Sequence, residues 1–215
     1  MGAAALVSLN AWALQFPMDT LISGTPPAGT IPWMMGNLED IGSGTVELTL
    51  SASGLTGSEY VSQWYFNVVD AQAGNLTFTK TASSGSFTGP SVSQGLDAYS
   101  AGGGGKYDIR LLFASRGGDS STFGGGDSVT FAITSTLGGL SAADFDLPSQ
   151  PPDGNGPTVA YVKGTGGGTG SAWIADDPAA NNQPRVPDQS STVMLLGIAM
   201  LAVEGLRRKF TSAKS

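Results

Sequence analysis

The sequence predicts an all-β fold, a two-sheet antiparallel β-sandwich with a jelly-roll-like arrangement, followed by a single C-terminal transmembrane helix. Only 13% of the 215 residues are charged, and 32 glycines recur among Ser and Thr, a composition that favours strands and turns over helices. Apolar and polar residues alternate in several segments, which is the periodicity of a half-buried strand. The longest apolar run lies near the C-terminus and has the length of a helix.

Each alternating segment places its apolar side chains on one face. In residues 45–52, Val46, Leu48 and Leu50 face one way and polar residues stand between them. The same pattern predicts strands at 62–68, 75–79, 106–113, 128–134, 158–163 and 171–175. In the last of these, Trp173 is the expected core aromatic. Strands with one apolar face suit two sheets packed face to face, which gives an ectodomain over residues 14–175.

The composition excludes several kinds of chemistry. The chain has no His and no Cys, so it has no disulfides, no Cys/His zinc site, no imidazole base and no thiol nucleophile. Residues 14–185 contain 15 acidic and 6 basic residues, a balance of −9. We expect this body to repel nucleic acid and anionic lipid headgroups, and a divalent cation or a neutral polysaccharide fits it better. Solubility alone also explains such a charge.

The first 13 residues are predicted to be a signal peptide. They are apolar and end in Ala11-Trp12-Ala13, a small-x-small pattern that suits cleavage by signal peptidase after Ala13. No Lys or Arg occurs before Lys80, so the basic start of a signal peptide is absent, and a true start further upstream would explain this. A short buried helix or a first strand is the alternative.

The C-terminal residues 186–210 have three parts in a fixed order, after a predicted linker at residues 176–185. Val186, Pro187 and Asp188 come first, and an apolar helix is expected at about residues 191–206. Its stem includes Ser191, Leu195, Leu196, Gly197, Leu201 and Leu206, and the basic residues Arg207, Arg208 and Lys209 follow. A helix of this length spans about 24 Å, somewhat less than the roughly 30 Å of a hydrocarbon core. The positive-inside rule puts the basic end in the cytoplasm.

This tail resembles a known kind of sorting signal. The run VPDQSSTVMLLGIAML, followed by RRK, resembles the PEP-CTERM tails handled by exosortases, in the VPDSG-CTERM-like variant in which Val-Pro-Asp replaces Pro-Glu-Pro. The resemblance implies that an exosortase recognises Val186, Pro187 and Asp188 while the stem lies in the inner membrane and the basic residues hold it there. It also implies a final location at the cell surface or outside the cell.

Segments of the body resemble the ectodomains of many PEP-CTERM proteins. They are the runs TVELTLSASGL, WYFN, KYDI and SAWIA, which begin at Thr45, Trp64, Lys106 and Ser171. This likeness implies a location and a fold but no reaction.

The expected function is therefore that of an exported, non-enzymatic protein of the cell surface or the extracellular biofilm matrix. Its processing partners would be exosortase and signal peptidase, and no cofactor is expected. The first alternative is a carbohydrate-binding module for exopolysaccharide, in which Tyr60, Tyr65, Tyr99 or Tyr161 would stack on sugar rings. A glycoside hydrolase is the second, and it needs two carboxylates facing across a cleft, of which the sequence selects no pair.

Calcium is the metal for which the sequence contains candidate ligands. Asp119 and Asp127 flank a glycine-rich loop, and Asp153 belongs to a turn with oxygen ligands, so a surface Ca²⁺ site at these residues is a hypothesis. Aspartate in a turn more often binds its own backbone, which is the competing interpretation.

Overall fold

A computed structural model describes residues 13–115, 121–149 and 156–176, which form two antiparallel sheets. The five-stranded sheet contains β1 (Ala13–Met18), β3 (Met34–Gly42), β4 (Thr45–Ser51), β6 (Leu76–Ser84) and β10 (Ser128–Ser135). The seven-stranded sheet contains β2 (Thr20–Gly24), β5 (Tyr60–Phe66), β7 (Ser91–Ala101), β8 (Gly105–Leu112), β9 (Phe123–Gly124), β11 (Thr158–Gly164) and β12 (Gly170–Asp176). The strand orders are β1-β3-β4-β10-β6 and β2-β12-β11-β5-β8-β7, with β9 beside β5.

The core lies between the sheets and is built by the predicted alternation. In β4 and β10, Leu48 stands opposite Phe131, and both side chains point inward. Phe16 of one sheet meets Phe66 of the other with ring centroids 6.0 Å apart, and Trp64 stacks on Phe66 at 6.0 Å. Each fully buried side chain of this size stabilises the fold by roughly 1.5–3 kcal/mol relative to exposure, so these contacts hold the two layers together.

The two-sheet antiparallel architecture is confirmed, and all seven strands predicted from alternation are present, β6 being longer than expected. The likeness to a jelly roll stays a prediction. Helix is limited to the turns Asp70–Gln72, Ala142–Phe145 and Thr165–Gly168 within the described ranges. No helix there is long and apolar enough to cross a bilayer, and the predicted stem at 191–206 lies outside those ranges.

Five strands, namely β1, β2, β3, β7 and β9, were not predicted, and for three of them the sequence shows the reason. In β3 the inward position between Met34 and Leu38 is Gly36, so the strand lacks one apolar side chain and its alternation is interrupted. An edge strand, β1, tolerates Pro17 because its outer side makes no ladder. Strand β7 lies at one edge of the seven-stranded sheet, and its mostly polar sequence, exposed or half-buried at all positions but one, carries little alternation.

Trp173 does not lie in the main core, contrary to the prediction. The side chains of its neighbours Ala172 and Ile174 fill the core from β12, so Trp173 points to the outer face of the seven-stranded sheet. There it packs, half-buried, against a second small apolar cluster that includes Tyr65 and Val159. The segment has apolar residues on both faces, and for this reason alternation alone could not orient it.

Candidate functional site

An open cleft of about 460 Å³ lies at one end of the seven-stranded sheet. Its walls come from the start of β5, the end of β11 and the turn that joins β11 to β12. The side chains that line it are Ser58, Tyr60, Thr122, Tyr161, Lys163 and Ser171, together with residues of the turn. We call this the end cleft.

Glycine shapes the turn beside the end cleft. Gly164, Gly166, Gly167 and Gly168 all have positive φ, a conformation that other residues rarely adopt. A Cβ atom on Gly164 would stand 2.2 Å from the carbonyl oxygen of Ser58. The turn therefore packs directly on the chain before β5, which fixes one wall of the cleft against the other.

Hydroxyl groups and one cation give the end cleft its chemistry. The Tyr161 hydroxyl donates a hydrogen bond to Ser171 Oγ at 2.8 Å, and the Tyr60 hydroxyl donates to the carbonyl oxygen of Ser115 at 3.2 Å. The Lys163 ammonium lies 5.8 Å from the centroid of the Tyr161 ring. Lys163 is the only charged side chain among the described residues that line this cleft. The arrangement favours a polar ligand with acceptor groups.

The four tyrosines proposed for sugar stacking have different environments. Tyr60 and Tyr161 both line the end cleft. Tyr65 is only 4% exposed, beneath Trp173, so it has no ring face to offer. Tyr99 lies on a different part of the sheet, where the Arg110 guanidinium stands 4.8 Å from its ring centroid. Sequence reasoning missed Lys163, although its position two residues after Tyr161 puts both on the outer face of β11.

A second cleft of about 490 Å³ lies at the edge of the sandwich between β6 and β7. It is lined mainly by apolar side chains, among them Leu76, Phe78 and Phe131, with Lys80 beside them. The side-chain amide of Gln94 crosses this edge and hydrogen bonds to both the N–H (3.0 Å) and the carbonyl (2.6 Å) of Leu76. No Asp or Glu lines either cleft in the described part of the chain. A glycoside hydrolase needs two facing carboxylates, and the described lining of these two clefts offers no such pair.

Two buried acids bind backbone amides. Glu59 accepts hydrogen bonds from the N–H of Ala28 (2.7 Å) and of Thr56 (2.9 Å). Asp108 accepts from the N–H of Val68 (3.1 Å) and from that of Asp97 (2.8 Å), which sits at positive φ in a bulge of β7. Glu59 therefore joins two loops, and Asp108 joins β8 to β7 and to the chain after β5, which are structural roles.

The burial of Asp108 should affect how the free energy of unfolding depends on pH. Burial raises the pKa of this carboxyl, with a small addition from the charges of Asp97 and Asp70 and opposition from the two amides. The folded protein therefore holds the proton at a pH where the unfolded chain, with an aspartate pKa of about 3.9, has released it. We expect the free energy of unfolding, relative to Asp108→Asn, to fall as pH rises above about 4. Urea titrations at several pH values would check this, and a rise would contradict it.

Of the three aspartates in the calcium hypothesis, only Asp127 is among the described residues. Asp127 Oδ2 accepts a hydrogen bond from the N–H of Gly124 at 2.8 Å, which is the local turn contact that competes with metal binding. Asp119 and Asp153 lie outside the described residues. Within residues 13–115, 121–149 and 156–176, no three acidic side chains come together as a metal site.

The predicted processing residues fall almost entirely beyond the described ranges. Ala11 and the whole tail, from Val186, Pro187 and Asp188 to Lys209, are outside them. Ala13 is the first residue of β1 and stands opposite Glu39. Asp176, the first residue of the predicted linker, ends β12 and is 2% exposed.

Comparison with family models decides the nature of the tail. Residues 185–210 match the VPDSG-CTERM motif. The match covers the Val-Pro-Asp signature, the apolar stem and the basic residues, and Gln189-Ser190 stand where the motif's name has Ser-Gly. No curated protein and no solved structure gives a significant match to the chain. The VPDSG-CTERM motif is a PEP-CTERM-like signal and implies processing by an exosortase, as expected of a secreted or cell-surface protein.

Proposed function

We propose that this chain is an exported surface or extracellular-matrix protein whose β-sandwich is delivered by exosortase processing of its VPDSG-CTERM tail. The observation that carries the proposal is the motif match at residues 185–210, a few residues after the sandwich ends at Asp176. The folded domain precedes the sorting signal, which is the order that surface display requires.

The tail would work through three physical properties. Pro187 disfavours helix around it, so the signature stays extended and readable by an enzyme. The stem at 191–206 is apolar enough to lie in the inner membrane as an intermediate. Arg207, Arg208 and Lys209 would hold its far end in the cytoplasm, with Glu204 close enough to pair with the arginines. Signal peptidase would cleave after Ala13 at the other terminus.

The sandwich itself is proposed to be structural and non-enzymatic, without a cofactor. The chain lacks His, the most frequent general base, and Cys, the thiol nucleophile. The buried carboxylates of Glu59 and Asp108 are engaged by backbone amides, and neither described cleft presents an acid. These observations favour a packing and display role over turnover.

Mass spectrometry of the mature protein from its native host tests this proposal. We expect an N-terminus at Leu14 and a C-terminus that lacks Arg207, Arg208 and Lys209, because both targeting ends are removed during export. In a strain without its exosortase, the same chain should keep the basic residues. A mature protein that retains Lys209 in both strains would contradict the proposed processing.

Carbohydrate binding is the second candidate function. The end cleft favours it, because Tyr60 and Tyr161 face a common space beside the hydroxyls of Ser58, Thr122 and Ser171. Its volume lies within the range of about 300–1,000 Å³ that small-molecule sites occupy. A purely structural sandwich does not require such a cleft.

A further inference from the structure

We propose that the end cleft binds a glycan bearing isolated carboxylate groups, such as a uronic-acid chain, with the Lys163 ammonium as the anchor for one carboxylate. The inference rests on the second candidate function and assigns its ligand class. Four features support it: the lining chemistry, the environment of Lys163, the overall charge of the chain and the position of the cleft relative to the tethered end.

Among the residues that the structure describes, the lining supplies hydroxyls and one positive charge but no negative charge. Hydroxyl groups both donate to and accept from sugar hydroxyls, so this lining can contact the neutral part of a glycan. Carboxylate and amide side chains are the further groups that could accept hydrogen bonds from a neutral sugar. None lines the end cleft among the described residues, whereas Lys163 brings three N–H donors. An ammonium is matched by an anionic acceptor, which makes an acidic sugar the better partner.

Lys163 is not engaged in an ion pair with any described carboxylate. Its contact is with the Tyr161 ring, 5.8 Å from ammonium to centroid. The neighbouring rings of Tyr161 and Trp173 are 4.6 Å apart, and the Tyr161 hydroxyl is tied to Ser171. Tyr161 therefore supports the lysine instead of offering a free face for stacking, and the cation is held in place before a ligand arrives.

The overall charge restricts the ligand further. Residues 14–185 carry a balance of −9, so a dense polyanion such as nucleic acid would be repelled as it approached. A saccharide has neutral hydroxyls between its acid groups, and it can place one carboxylate on Lys163 and its hydroxyls against Ser58, Thr122 and Ser171. The local cation and the distant acids together favour a glycan, whose carboxylates are separated by neutral hydroxyls, over a denser polyanion.

The cleft also lies away from the tethered end of the sandwich. β12 begins at Gly170, in the cleft wall, and ends at Asp176, from which the chain continues to the sorting tail. Its seven residues span about 20 Å at the usual strand rise. The site therefore opens at the end opposite the exit of the chain, where an extracellular polymer has access.

Binding by the full-length protein in detergent micelles tests the inference. The probes are trigalacturonic acid and its methyl ester, which has the same rings without the charge. We expect titration calorimetry to show binding of the acid that is at least about tenfold tighter than of the ester and that weakens with salt. Lys163→Met should lower affinity for the acid by about tenfold or more, and Lys163→Arg should keep most of it.

Two further variants separate this effect from changes in net charge or folding. Lys106→Met removes the same charge on β8, where the ammonium binds Ser100 Oγ, and should leave binding unchanged. Thr169→Trp places a bulky ring at the exposed mouth of the cleft and should abolish binding, with the thermal midpoint of unfolding as a check on folding. No binding of the acid, equal binding of the ester, or equal losses in the two Lys→Met variants would overturn the inference. None of these results would alter the processing seen by mass spectrometry, which tests sorting separately.

Discussion

Replacing Trp64 with alanine should lower the free energy of unfolding by about 3–5 kcal/mol. The Trp64 side chain is fully buried and stacks on Phe66, and its Nε1–H donates a hydrogen bond to Thr158 Oγ1 at 2.7 Å. The change leaves a cavity between the sheets and removes one of the two hydrogen bonds of the buried Thr158 hydroxyl, which keeps its bond to the Tyr65 carbonyl. Urea denaturation followed by far-ultraviolet circular dichroism would measure the loss.

Trp173→Ala is the matched control for that variant. Both tryptophans lie in the seven-stranded sheet, but Trp173 is half-buried on its outer face. Since only part of its surface is removed from water, we expect less than half of the destabilisation caused by Trp64→Ala. Equal losses from the two changes would mean that the inner face of this sheet is not the main core. Trp64→Phe, which keeps a ring but not the N–H, should cost about 1–3 kcal/mol.

The double change Pro187→Ala and Asp188→Ala should leave an unprocessed, membrane-retained precursor in a host that carries an exosortase. Both residues belong to the Val-Pro-Asp signature within the matched region, and alanine both removes the recognised side chains and permits helix to extend toward Val186. Immunoblots of fractionated cells would show the full-length chain in the membrane and little at the surface. The effect is expected to be nearly complete, because the stem and the basic residues still anchor the precursor.

A control for this variant exists a few residues upstream. Pro184→Ala with Asp177→Ala changes the same residue types outside the matched region 185–210. This chain should mature normally. If the Pro187 and Asp188 variant matured equally well, the assignment of the signature to Val186, Pro187 and Asp188 would be wrong.

The sequence was informative wherever the signal is local. Strands such as β4 and β10 were predictable because Val46, Leu48 and Leu50 alternate with polar residues within a few positions. The tail was predictable for the same reason, since its signature, stem and basic residues occur in one stretch. The edge strands β1 and β7 were not predicted. Pro17 interrupts the alternation in β1, and the exposed residues of β7 hide it.

The end cleft could not be predicted, because it joins parts of the chain that are far apart. Tyr60 and Lys163 stand opposite each other in neighbouring strands although about 100 residues separate them in sequence. Only the pairing of β11 with β5 brings the hydroxyls of one segment to the cation of the other. Tyr65 shows the converse, since its sequence suggested an exposed ring and the fold placed Trp173 over it.

The pairing of β2 with β12 has a consequence for the timing of export. Thr20 stands opposite Ala175. The edge strand β2 is therefore synthesised early, but it cannot pair until β12 has been synthesised, near the end of the domain. In a secreted chain that crosses the membrane from its N-terminus, the seven-stranded sheet cannot be completed until the sandwich has crossed in full. On the route proposed above, the stem of the sorting tail would reach the membrane immediately afterwards. On the proposed export route, closure of the sheet and arrest of translocation would fall at nearly the same moment. Because the paired strands lie far apart in sequence, we expect this last pairing to be slow.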